Sequence, residues 1–168
     1  WFEPPRSRRV SYPPAQPLLP WANEALDVLS ENVATVYREL ENSFPGARIV
    51  VLGYPHLFPA DEPTLWPDCV SVLRRVSHTE RAVIRDLTDQ LNATLYGRAV
   101  EAGIEFVSPE AAWEGHEPCG EAGQFTNSVK PMLDSAVVDN GTFHPNEDGQ
   151  KQLAWLVACY LTTWPSGE

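Results

Sequence analysis

The chain has 168 residues, enough for one domain, and its 43% hydrophobic content and six tryptophans argue for a packed core over disorder. A formal net charge of −11 speaks against nucleic acid or an anionic membrane surface as a partner. No run reaches the roughly 18 consecutive apolar residues of a membrane span, and nothing has zinc-ligand spacing, so no transmembrane segment, metal or other cofactor is expected.

Residues 1–20 are rich in proline (Pro4, Pro5, Pro13, Pro14, Pro17, Pro20), which excludes an inner strand and predicts an extended arm. From Trp21 to Phe44, Ala25, Leu26, Leu29, Val33, Val36, Tyr37 and Leu40 recur at helical spacing until Pro45-Gly46 stops the pattern. Ile49 to Leu52 is a short continuous apolar run, the mark of a buried strand. A long loop over 55–76 follows. Ser77 and Glu80 then form a capping box that opens a helix through Ile84, Leu87, Leu91 and Leu95 to about Ala102, with Gly103 as its C-terminal stop. Ile104 to Val107 is the second strand, 113–140 reads as irregular, and a last helix covers roughly 146–163.

The order is that of an α/β protein with a parallel sheet flanked by helices. Two parallel strands alone cannot bury both their faces, so further strands are expected from a segment outside this chain.

Chemistry concentrates in Thr142-Phe143-His144-Pro145-Asn146, with Gly149-Gln150 and the apolar run from Leu153 to Val157 behind it. Pro145 suits a first helical turn, and Asn146, Glu147 and Asp148 favour a helix N-terminus. A histidine at such a start is either a general base or an ordinary loop residue. The other histidines carry weaker signals. His56 follows a strand end, where α/β proteins bind ligands, but also reads as a plain loop residue. His116 reads as structural and His78 as solvated. Trp66, Trp113 and Phe125 either wall a pocket or anchor their loops to the core. Two Asn-x-Thr sequons, at Asn92 and Asn140, read as chance.

Phe143-His144-Pro145-Asn146 with Gly149-Gln150 resembles the last block of the SGNH (GDSL) hydrolases, serine esterases and lipases. Arg48–Pro55 with Leu57-Phe58-Pro59 is similar to the middle strand and turn of secreted actinobacterial members. Leu91-Asn92-Ala93, Gly103–Val107 and Gly115–Gly120 follow in the same order, so the resemblance runs from about residue 21 to about 162. It implies a three-layer, flavodoxin-like sheet of which residues 21–168 hold the C-terminal portion, a secreted protein, and a small-molecule or lipid ester as substrate. His144 would be the general base, and no nucleophile is assigned in this chain. The Gly-Asp-Ser block and the Gly and Asn of the oxyanion hole are missing, which implies as partner an N-terminal half of the same hydrolase, from the same precursor or as a separate chain.

The family's usual Asp three residues before the base is Gly141 here, so the resemblance assigns its backbone carbonyl to orient His144, with Asp139 as the alternative. His56 and Trp113 are the candidate substrate contacts. The resemblance also pairs Cys69 with Cys119, closing a loop of about 50 residues worth about 4 kcal/mol, and leaves Cys159 as a buried free thiol. Two rival readings stand beside it: a non-catalytic binding or regulatory module, and an enzyme recruiting a serine of its own such as Ser108.

Overall fold

The computed structural model describes residues 18–60, 76–118, 123–127 and 143–163. The chain divides into two compact units, one of residues 1–53 and 89–106, the other of 54–88 and 107–168. The expected arm lies mostly outside the described residues, as does the loop holding Trp66. The elements are α1 (Leu18–Ser43), β1 (Val50–Leu52), α2 (His78–Ala102), β2 (Glu105–Val107), α3 (Glu110–Trp113) and α4 (Glu147–Thr163). This is an α/β fold with a small parallel sheet, β1 beside β2, flanked by helices.

In the first unit, α1 begins three residues ahead of the expected start. Pro20 falls in its first turn, where a missing N–H leaves no helical bond unmade. The helix turns Tyr37, Val33 and Leu40 toward Val51 and Phe106 of the strands and toward Ile49 and Ile104 just before them, while Ala99 and Ala102 of α2 complete the cluster. Burying each Val-, Leu- or Ile-sized side chain contributes about 1.5–3 kcal/mol. The same burial pushes the Tyr37 phenol above its ordinary pKa. Val36, expected on the inner stripe, instead faces outward. Arg48 reaches from the residues before β1 to Glu105 of β2 through two nearly parallel bonds of 2.6 and 2.8 Å, a fork that fixes the strand pair.

The C-terminal end of α2 shows why the chain turns where the sequence says it should. Gly103 holds φ +70, its N–H donates to the Val100 carbonyl (3.2 Å), and Ile104 N–H donates to the Ala99 carbonyl (2.8 Å). These are the two bonds of a Schellman cap, and Ala99 and Ile104 meet in the core as that motif requires.

The second unit holds the start of α2, then α3, α4 and the loops between them. The predicted capping box is present: Glu80 Oε2 accepts from Ser77 N–H (2.7 Å) and Ser77 Oγ accepts from Glu80 N–H (3.2 Å). Phe58 is buried among Leu57, Val76, Ile84 and Phe143. Trp113, at the end of the short helix α3 that periodicity did not announce, packs edge-on against Phe125, ring centroids 5.2 Å apart. No described helix is long and apolar enough to cross a membrane.

The expectation of a disulfide is corrected. The described structure contains none, and its one cysteine, Cys159 of α4, is a half-buried free thiol. Cys69 and Cys119 lie outside the described residues.

A candidate active site at the start of helix α4

Helix α4 is started by Asn146. Its Oδ1 accepts from Gly149 N–H (2.9 Å) and its carbonyl from Gln150 N–H (2.8 Å), so Asn146 is the N-cap and Glu147 the first helical residue. Pro145 therefore stands one step before the cap, not in the first turn. It forms an antiparallel bridge with Thr126. The reason is visible in the flanking bonds: Asn127 N–H donates to the His144 carbonyl (2.9 Å) and Asn146 N–H to the Phe125 carbonyl (2.8 Å). Thr126 and Pro145 are thus a non-hydrogen-bonded pair, the one kind of ladder position where a proline forfeits nothing.

This short ladder holds His144. Phe143 N–H donates to the Asn127 carbonyl (3.2 Å), and the Asn127 side-chain amide adds a second bond to the His144 carbonyl (3.3 Å). Asn146 Nδ2 ties the cap to the Gln124 carbonyl at 2.7 Å. The backbone on both sides of His144 is thereby fixed while the residue itself stays exposed. An exposed imidazole on a tied backbone can exchange a proton with a ligand without the chain reorganising.

Beneath the turn lies an aromatic layer. Phe125 stacks on His116 (centroids 3.7 Å, planes 2° apart), and His116 Nδ1 lies 2.7 Å from the Gly123 carbonyl. His116 therefore takes the structural role expected of it. Gly149 touches this layer so closely that an added Cβ would stand 2.0 Å from the Phe125 carbonyl oxygen and 3.0 Å from the Trp113 ring. Trp113 is 0% exposed, which is the anchoring alternative of the two that its loop position allowed.

His56 is half-buried in the segment 54–60, whose Phe58 packs edge-on against Phe143 (5.8 Å, 70°), so the segments carrying His56 and His144 meet through that ring pair. Gly141 and Asp139 lie outside the described residues. Ser108 is exposed, and its hydroxyl accepts from Glu110 N–H at 3.3 Å. His78 is exposed at the start of α2, and Asn92 is buried on α2, so its sequon is not presented. Asn127, Thr126 and Phe58 carried no sequence signal of a role beside His144. The nearest hint was the spacing of Asn146 and Gly149, a cap and the donor it satisfies.

The chain's sequence relatives are of lipase type. No protein-family model matches it. It is 30% identical to a lipase of Streptomyces rimosus over 117 residues, 70% of this chain and 38% of that protein. Lipase 1 of Streptomyces coelicolor is 31% identical over 117 residues, 68% and 37% of the two chains. Among solved structures, the phospholipase A1 of Streptomyces albidoflavus NA297 superposes with a TM-score of 0.67 at 27% identity, over 84% of this chain and 56% of that one. The extracellular lipase of Streptomyces rimosus superposes with a TM-score of 0.65 at 24% identity, over 86% and 57%, and shows likeness of fold alone. The chain spans little more than a third of the curated relatives' length.

Proposed function

We propose that this chain is the base-bearing C-terminal part of a carboxylic ester hydrolase of SGNH (GDSL) type. The serine and the oxyanion donors come from an N-terminal segment of the same hydrolase, which also completes a three-layer sheet on β1 and β2. His144 takes the proton of the serine hydroxyl as that oxygen attacks the ester carbonyl, and returns it to the departing alcohol. Water then repeats the sequence on the acyl-enzyme. The Gly141 carbonyl orients the ring through its other nitrogen, with the Asp139 carboxylate as the alternative. His56 contacts the substrate, and Trp113 backs Phe125 beneath the His144 turn. The substrate is a fatty-acyl ester of a lipid or a smaller alcohol, and the protein works outside the cell, in keeping with relatives named as lipases and a neighbour named as extracellular.

The observation that carries this reading is the placement of His144, exposed on a backbone tied through Asn127 and Asn146 at the start of α4. A fluorophosphonate probe applied to the native protein tests it. The tag is expected on a serine of the N-terminal segment, and His144→Gln should lower its rate of attachment by about 10³-fold or more. Wild-type protein that takes no tag, or equal labelling of the variant, removes His144 from the chemistry.

A further inference from the structure

Phe143, the residue before His144, holds φ +61 and is the one non-glycine with a positive φ among the described residues. Phenylalanine has no preference for that region, so the conformation persists only where its surroundings over-determine it. Two contacts do so. One is the bond from Phe143 N–H to the Asn127 carbonyl; the other is the edge-on contact of its ring with Phe58. Phe58 is 1% exposed and enclosed by Leu57, Val76 and Ile84, so its ring has nowhere to move.

The backbone of Phe58 is fixed separately. Its carbonyl accepts a bond from Arg85 Nη1 at 2.5 Å. The same guanidinium nitrogen lies 3.9 Å from Oε1 of Glu117, a carboxylate only 2% exposed whose second oxygen has no partner among the described residues. A buried carboxylate needs its cation, and the cation needs an acceptor for its remaining donors; the Phe58 carbonyl is that acceptor. The connection runs Glu117, Arg85, Phe58, Phe143, His144, and each step is a contact.

We infer that Phe58 and Arg85 are positioning residues for His144: together they hold Phe143 in its left-handed conformation, which aims the imidazole. This rests on the reading of His144 as the general base. If Phe143 relaxed to a negative φ, the peptide plane between it and His144 would swing and carry the ring off its line to the serine. A displacement of about 1 Å at such a base costs as much as 100-fold in rate.

The test uses the native protein with two readouts: the His144 Cε1–H resonance, assigned by its loss in His144→Gln, and kcat and KM for a p-nitrophenyl ester across pH. Phe58→Leu and Arg85→Met are expected to shift or broaden the resonance. They should lower kcat about 10- to 100-fold with KM within about twofold. If Phe58→Leu or Arg85→Met does not fold, Arg85→Lys carries the test, since it keeps the charge beside Glu117 but loses the guanidinium's reach. An unmoved resonance in a folded variant overturns the inference, as does a loss confined to KM. The resonance needs no turnover, so an inactive wild type would refute the hydrolase reading while this arm still decides the positioning.

Discussion

Gly149 is the residue on which the most geometry converges. Its amide satisfies the Asn146 cap, and its missing side chain lets the first turn of α4 rest on the Phe125 carbonyl and the Trp113 ring. A methyl group there would overlap backbone, which cannot rotate aside as a flexible side chain would. Gly149→Ala is therefore expected to destabilise the protein by about 1–3 kcal/mol, the range for overpacking, despite alanine's better helix propensity. Denaturant unfolding followed by tryptophan fluorescence reads this directly. A variant as stable as wild type would show that the helix can lift off Phe125 at little cost. The sequence marked Gly149 by its place in a family-like block, but not this reason. The close approach depends on residues 125 and 149, which no local pattern connects.

At the scale of elements, what the sequence made legible is what short-range chemistry determines. Ser77 and Glu80 announced the start of α2, and Gly103 its end, because both caps are made by residues within six positions of each other. The ladder between 124–127 and 143–146 was not legible. It pairs irregular segments through backbone bonds, and Pro145 sits in it precluded from donating at a position that asks for no donor. The positive φ of Phe143 was hidden for the same reason: tertiary contacts impose it against the residue's own preference.

The α2 cap also makes a prediction in pH. The Glu80 carboxylate is held below its ordinary pKa first by the bond from Ser77 N–H and then by the Ser77 hydroxyl. A lowered folded-state pKa gives stability that is present above the unfolded value and lost as pH falls through the lower, folded one. The advantage in Tm of wild type over Glu80→Ala should therefore be constant near neutrality and shrink as the solution is acidified through the carboxylate range. A difference that persists unchanged into strong acid would mean that the carboxylate's charge contributes nothing to the cap.

Taken as a whole, the described residues leave large apolar side chains exposed. Helix α4 is apolar nearly all round from Leu153 to Leu161, yet Trp155 is 60% exposed, and Ala154, Ala158 and Leu161 line up with it at helical spacing. In the other unit, Tyr96 and Val100 of α2 are exposed one turn apart, and the sheet has two strands among the described residues. Surfaces of this kind on a helix and beside a short parallel sheet are normally covered by further elements. The 168-residue chain by itself is accordingly expected to bind a hydrophobic dye and to associate as its concentration rises. Trp155→Gln should reduce both effects; glutamine is chosen because another negative charge on a chain of −11 would suppress association by repulsion alone. Adding the proposed N-terminal segment should abolish dye binding in the wild type and leave Trp155→Gln the weaker partner. A chain that stays monomeric and binds no dye would show that these faces are stable in water, and would count against the need for a second segment to cover them.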